Sequence, residues 1–311
     1  MNLNRQLDIL FSQLANAIGT DGIFLKGTLA IISVALICGS VGPLVVGKRM
    51  AFFSDALGHC ALAGIALGVI VTLLLSPAGR GKDDLLDWLL PPVMIVFGGL
   101  VGLGIIYVRD KTGLASDTVI GVFFAGAIGF GAILFNVLKQ FTNRDADMYL
   151  FGSPNFIPAV DLVALFVVAI ITMAAMYLRF NHLVFASFNA SLARSRRIPV
   201  WLNNYLFIVL LAFIVNLGLQ AVGLLLINAV LIVPAATASN ISRNMRQLFW
   251  WTIAISLAAG LCGQLISDRV SIHIRGNEIQ LGAGGCIVVL SVIAFVISMF
   301  LSPMVRGRQT R

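Results

Sequence analysis

The sequence consists largely of apolar blocks, each about 20 residues long, that repeat along nearly its whole length. A helix of about 20 residues crosses ~30 Å of hydrocarbon, which is the thickness of a bilayer core. Such a helix satisfies its own backbone hydrogen bonds, as a lipid environment requires. The short strands of alternating polarity that build a membrane β-barrel are absent from the sequence. The blocks therefore predict an all-α, polytopic integral membrane protein with about eight to nine transmembrane helices.

The composition excludes most soluble functions. The 311 residues are 59% hydrophobic and 11% charged, whereas a soluble domain carries about 25% charged residues. The formal charge of +8 is divided among the segments between apolar blocks and forms no basic stripe, so nucleic acid is not a predicted partner. The four cysteines lie in or beside apolar blocks without CxxC spacing, which is typical of buried thiols.

Nine segments have the length and polarity of a membrane span. They cover residues 24–46, 52–75, 89–108, 118–138, 156–178, 202–218, 221–239, 248–267 and 283–301. The stretch 202–239 is too long for one helix, and we expect the chain to break near Asn216, Gly218 and Gln220.

The chain is expected to contain one membrane domain with short extensions. Residues 1–22 form an N-terminal segment without a cleavable signal, in which residues 7–18 predict an amphipathic helix on the membrane surface. Residues 23–303 form the single transmembrane domain, and residues 304–311 form a basic cytoplasmic tail.

The basic residues predict the orientation of the spans. If residue 47 is cytoplasmic and the sides alternate, 13 of the 21 Lys and Arg residues lie on the cytoplasmic side. Because cytoplasmic loops of membrane proteins are enriched in Lys and Arg, this orientation is favoured. It places the N-terminus outside and the C-terminus inside.

Two ionisable residues, Asp55 and His59, lie within the second predicted span. Their spacing of four residues places them on one helix face, one turn apart. An acid inside a membrane is unfavourable, so such residues usually face a cavity, a partner or an ion path. A carboxylate and an imidazole together suit a divalent transition metal. The alternative is that Asp55 caps the helix and His59 merely pairs with it. Cys60 is expected to lie off this face.

Other candidate motifs carry less weight. Residues 42–48 match the first seven positions of a P-loop, but Arg49 stands where Ser or Thr should hold Mg²⁺. The match also ends a membrane helix, so we interpret it as chance and predict no nucleotide hydrolysis by this chain.

His273 and Glu278 lie in a predicted outer loop with Asp268, where we interpret them as solvated loop residues and not as a site.

A basic segment joins the fifth and sixth spans. Residues 187–197 predict a short helix that begins near Asn189 and ends before Pro199. Such a helix on the cytoplasmic face either anchors to anionic lipid headgroups or docks a cytoplasmic partner.

Four stretches together resemble the permease subunits of metal-type ABC importers, the family that transports zinc, manganese and iron. They read VGKRMAFFSDALGHCALAGIALG at 46–68, DADMYLFGS at 145–153, FASFNASLARSRRIPVWLNNYL at 185–206, and LQAVGLLLINAVLIVPAATASNIS at 219–242. The resemblance covers roughly residues 27–303, and the last stretch is the most specific.

The resemblance implies a division of labour among subunits. Two permease chains form a homodimer, separate cytoplasmic ATPase subunits bind and hydrolyse ATP, and an extracytoplasmic binding protein delivers the metal. No covalently bound cofactor is expected, and the transported substrate is Zn²⁺, Mn²⁺ or Fe²⁺. The implied location is the bacterial cytoplasmic (inner) membrane, with lipid around the spans.

The resemblance also implies roles for particular residues. Asp55 and His59 match the family's intramembrane metal-coordinating pair. The segment that couples the permease to the ATPase matches Ser187, Phe188, Asn189, Ala190, Ser191, Leu192, Ala193, Arg194, Arg196 and Arg197. Asn189 and Ala190 replace the family's usual Asp-Pro, which leaves the register of this segment open. The histidine is followed by Cys60, Ala61, Leu62 and Ala63, without the proline common in manganese-type members, so zinc is favoured over manganese or iron.

The alternative function is a cation-coupled secondary transporter. Such proteins often contain repeated halves with an acid near the midplane of each. Here Asp55 is the one acid well inside a predicted span, and the second half of the sequence does not repeat the first.

Overall fold

A computed structural model describes residues 3–75, 82–138, 152, 154–188, 199–274 and 277–306. The chain is helical apart from one short hairpin in these ranges. The helices are α1 (Leu3–Ile18), α2 (Gly22–Gly47), α3 (Ala51–Leu75), α4 (Lys82–Thr112), α5 (Ser116–Leu138), α6 (Ala159–Phe188), α7 (Val200–Val222), α8 (Leu224–Ile241), α9 (Met245–Arg269) and α10 (Ala283–Arg306). Within the described ranges, the nine helices α2 to α10 are long and apolar enough to cross a membrane, which confirms the all-α membrane fold.

The predicted break inside residues 202–239 is displaced in the structure. α7 continues through Asn216, Gly218 and Gln220 to Val222, and α8 begins at Leu224. Gly223 separates the two helices, with φ 91° and ψ 157°. Only glycine adopts that backbone conformation readily, because it has no Cβ. The prediction placed the break too early because Asn and Gly are common in turns, whereas here Asn216 and Gly218 belong to the helix.

Gly152, which precedes α6, packs against this break. Gly152 has φ 56°, and a methyl group at its position would collide with the carbonyl of Val222. Residues Pro154–Phe156 then form one turn of 3₁₀ helix. The glycine of the FGS sequence at 151–153 is therefore required both by its own backbone angle and by the close approach of Val222.

A short β-hairpin follows α9 and was not predicted. Strand β1 (Ser271–Ile274) pairs antiparallel with β2 (Asn277–Gln280), and Ile272 lies opposite Ile279. The sequence predicts a loop here, because four-residue strands are too short to show a recognisable alternation.

The chain divides into two compact units. Unit 1 comprises Met1–Arg49, Phe151–Phe180 and Gln220–Arg311, and it contains α1, α2, α8, α9 and α10. Unit 2 comprises Met50–Leu150 and Asn181–Leu219, and it contains α3, α4 and α5 together with most of α7.

In unit 1, α2 packs against both α8 and α9, and α10 packs against the same two helices. Gly39 of α2 approaches the backbone of α9, where a methyl group would lie 2.9 Å from Ile253 Cα. The helix α1 joins this unit through an ion pair between Asp8 and Lys26 at 2.9 Å. α1 confirms the predicted N-terminal helix, and its large apolar side chains Ile9 and Leu14 are exposed.

In unit 2, α3 packs against α4 on one side and α5 on another. α3 and α4 approach closely at a small residue, because a methyl group at Gly64 would lie 3.2 Å from Met94 Cα in α4. Gly98 of α4 leaves space for the side chain of Asn216 in α7, which is fully buried.

Candidate metal site

The helix α3 carries both residues of the predicted pair. It contains no proline, and its Ala and Leu residues are strong helix formers. Asp55 and His59 lie in its first half, one turn apart as the spacing predicted. Phe53 and Leu57, which lie two residues before Asp55 and His59 respectively, are fully buried. One face of α3 therefore contributes to the core while another presents the ionisable pair.

The two side chains lie close together. His59 Nε2 is 3.9 Å from Asp55 Oδ1, which is too long for a hydrogen bond. Two ligands of one tetrahedral metal, each about 2.0–2.1 Å from the ion, lie about 3.3–3.4 Å apart. The observed separation is therefore within a small side-chain rotation of the distance that one bound metal requires.

The pair is accessible. The side chains of His59 and Asp55 are 26% and 40% exposed, respectively, while the neighbouring Cys60 is fully buried. The prediction that Cys60 lies off the Asp–His face is confirmed. A carboxylate oxygen and an imidazole nitrogen that share an accessible face can together bind a divalent cation.

The imidazole has an aromatic neighbour on α5. The ring of Phe124 lies 4.9 Å from the His59 ring, centroid to centroid, at an interplanar angle of 89°. This is a T-shaped contact. Sequence reasoning missed Phe124, because a phenylalanine in an apolar span gives no signal that separates it from residues that contact lipid.

In the part of the chain that the structure describes, no group of three or more His, Cys, Asp and Glu side chains is placed to hold a metal ion. His182, on α6, is exposed. In the hairpin, His273 and Glu278 occupy opposite positions of the backbone register.

The predicted coupling segment is largely outside the described residues. Ser187 and Phe188 form the end of α6. Residues 189–197 lie outside the described ranges, so the helix expected there stays a prediction. The rejected P-loop match lies mostly in α2, which ends at Gly47, and it therefore has no phosphate-binding loop.

The fold is that of a polytopic helical membrane protein, and comparison with known proteins identifies its family. A sequence profile of the ABC 3 transport family matches residues 20–302, so the chain belongs to that family. The resemblance to permease subunits of metal-type ABC importers is confirmed, and the chain is a permease subunit that is not itself an ATPase.

Similar proteins match nearly the whole chain. The manganese import system permease protein ScaB of Streptococcus parasanguinis is 29% identical over 284 residues, which are 91% of this chain and 92% of that protein. The high-affinity zinc uptake system membrane protein ZnuB of Haemophilus influenzae is 26% identical over 269 residues, 86% and 94% of the two chains. The solved structure of PsaBC from Streptococcus pneumoniae in complex with Fab matches with a TM-score of 0.73 at 27% identity, covering 91% of this chain and 93% of that one.

Proposed function

We propose that this chain is the membrane permease of an ATP-driven importer for a divalent first-row transition metal, and that Asp55 and His59 hold the metal during transport. The observation that carries the proposal is the Nε2–Oδ1 separation of 3.9 Å on an accessible face of a membrane helix. The relatives support a metal substrate, because ScaB is named for manganese import and ZnuB for zinc uptake.

The mechanism is alternating access driven from outside this chain. An extracytoplasmic binding protein releases the metal at the outer mouth of a permease homodimer in the bacterial cytoplasmic membrane. Asp55 and His59 replace part of the ion's hydration shell, which lowers the barrier to entering the membrane. ATPase subunits on the cytoplasmic side then drive the inward opening through Ser187–Arg197, whose arginines suit an acidic docking surface.

The identity of the transported metal is part of this proposal. The absence of proline after His59 favours zinc, while several of the relatives are named for manganese. Both ions accept one carboxylate and one imidazole, so the Asp–His pair accommodates either.

The test is metal uptake in cells that lack other importers. Manganese, zinc and iron are measured by mass spectrometry in cells that express the wild-type chain, Asp55→Ala or His59→Ala. Both variants should reach the membrane and lose at least ~90% of uptake, because one remaining ligand cannot replace the hydration shell. The metal whose accumulation falls identifies the substrate.

Matched controls are available within unit 2. His182→Ala and Asp117→Ala make the same substitutions at exposed positions and should retain uptake. Normal uptake by Asp55→Ala and His59→Ala would contradict the site. Uptake that continues without the partner ATPase would contradict the ATP-driven mechanism and favour a cation-coupled secondary transporter.

A further inference from the structure

We propose that Phe124 is a positioning residue that orients the His59 imidazole for metal capture. This inference rests on the proposed function, because it assigns a role to a neighbour of the proposed ligand pair. Its basis is the T-shaped contact between the two rings, with centroids 4.9 Å apart and planes at 89°.

A metal-binding imidazole needs an external constraint on its orientation. In most metal sites the ring nitrogen that does not bind metal donates a hydrogen bond to a carboxylate or a carbonyl, which sets the ring plane and raises ligand basicity. Among the described residues, the ionisable partner of the His59 ring is Asp55, whose Oδ1 lies 3.9 Å from Nε2 and therefore too far for a hydrogen bond. The usual polar constraint is thus replaced here by an apolar one.

Phe124 is placed to supply that constraint. A perpendicular ring within contact distance blocks rotation of the imidazole about its Cβ–Cγ bond, and this keeps Nε2 on the side of Asp55. α5 also packs against α3 beyond this contact, one turn along α3 and two turns along α5, where a methyl group at Gly131 would lie 3.5 Å from Ala63 Cβ. The backbone that carries Phe124 is therefore fixed relative to His59.

The neighbouring phenylalanine has a different contact. The ring of Phe123 packs against α4, where a methyl group at Gly104 would lie 3.3 Å from its edge. Phe123 and Phe124 are both half-buried, so the two residues differ in what they contact rather than in burial. This pair provides a matched control within one helix.

An apolar constraint suits a transport site. A ring orients the imidazole in advance, which favours metal binding, but it adds no acceptor that would raise the ligand's basicity and tighten binding further. A site that must release its ion on every cycle benefits from that combination. Phe124 thereby contributes to capture of the metal, and its removal should affect the metal concentration at which transport is half-maximal.

The experiment measures initial rates of Mn²⁺ and Zn²⁺ uptake by cells that express the complete importer, over a range of metal concentrations. Phe124→Leu removes the ring, and Phe124→Met does so with an unbranched side chain that fills more of the space. Both should raise KM about twofold to tenfold, the range that corresponds to losing one aromatic contact. Phe124→Tyr retains the ring and should keep the wild-type KM, as should Phe123→Leu.

KM does not depend on how much transporter reaches the membrane, so reduced expression of a variant does not obscure the result. A wild-type KM in both Phe124→Leu and Phe124→Met would overturn the inference, and so would an equal rise in Phe123→Leu. If His59→Ala transports normally, the proposed site itself fails. If His59→Ala is inactive while both Phe124 variants keep the wild-type KM, the positioning role alone fails.

Discussion

The two compact units use small and polar residues differently. In unit 1, glycines bring helix backbones into direct contact, since a methyl group at Gly263 would lie 2.8 Å from Ile287 Cα and one at Gly39 would lie 2.9 Å from Ile253 Cα. In unit 2, α5 has glycines at 121, 126 and 129 with open space around each, and its span is largely exposed within the chain. These glycines of unit 1 therefore bring helix backbones closer together than the glycines of α5 do in unit 2.

The polar side chains of the two units also differ in their hydrogen bonding. In unit 1 they bond to one another between elements, as Gln264 does to Asn155 and Asn240 does to Ser298. In unit 2 the proposed ligands Asp55 and His59 lie 3.9 Å apart without a hydrogen bond between them. We therefore expect substitutions at the bonded polar groups of unit 1 to change mainly stability, and substitutions at the proposed ligand pair of unit 2 to change mainly transport.

The largest expected effect on stability comes from filling a glycine contact in unit 1. Gly263→Ala places a methyl group 2.8 Å from Ile287 Cα, so α9 and α10 must separate. Overpacking of this kind costs about 1–3 kcal/mol. Thermal unfolding of the purified chain in detergent should show a clear loss of stability in Gly263→Ala. The stability of Gly126→Ala in unit 2 should stay within ~0.5 kcal/mol of the wild type. Equal losses in the two variants would remove the contrast between the units.

A second prediction separates stability from transport. Gln264 is almost fully buried, and its Nε2 donates to Asn155 Oδ1 at 2.5 Å. Gln264→Leu leaves that oxygen without its donor and should destabilise the chain by about 1–3 kcal/mol with little change in KM. Asp55→Asn should do the opposite, leaving the unfolding temperature unchanged and abolishing uptake. If Gln264→Leu raised KM as well, the division of roles between the units would be wrong.

The smallest effect is expected at the link between α8 and α10. Asn240 Nδ2 donates to Ser298 Oγ at 3.0 Å, and this bond is partly exposed. Asn240→Ala should lower stability by about 0.5–1.5 kcal/mol, the usual net value of one hydrogen bond. Combining it with Ser298→Ala should add less than the sum of the two single losses, because both variants remove the same bond. Fully additive losses in the double variant would show that the bond contributes nothing.

Some features of the fold and the site were predictable because they depend on neighbouring residues. An apolar block of ~20 residues requires a helix wherever it meets lipid, and the structure has a helix at each predicted span. The common face of Asp55 and His59 follows from helical periodicity alone. Neither result depends on how the helices pack.

The role of Asn216 could not be predicted from neighbouring residues. As a polar residue two positions before Gly218 in an apolar stretch, it predicts a turn. In the structure it is fully buried within α7, its Nδ2 donates to the Ala212 carbonyl at 2.6 Å, and its side chain occupies the space beside Gly98 of α4. A residue more than one hundred positions away determines its role, and local patterns carry no record of that partner.

The sequence by itself determined the membrane class, the number of spans and the position of the Asp–His pair on α3. These follow from helix length, polarity and periodicity, which act over a few turns of chain. Only the tertiary structure decided that Gly223 divides α7 from α8, that Gly263 meets Ile287, and that Phe124 lies against His59. The physical reason is that packing brings together residues that are distant in sequence. The many glycines and phenylalanines of a membrane chain have similar local sequences, so only their contacts in the folded structure show which of them has a particular role.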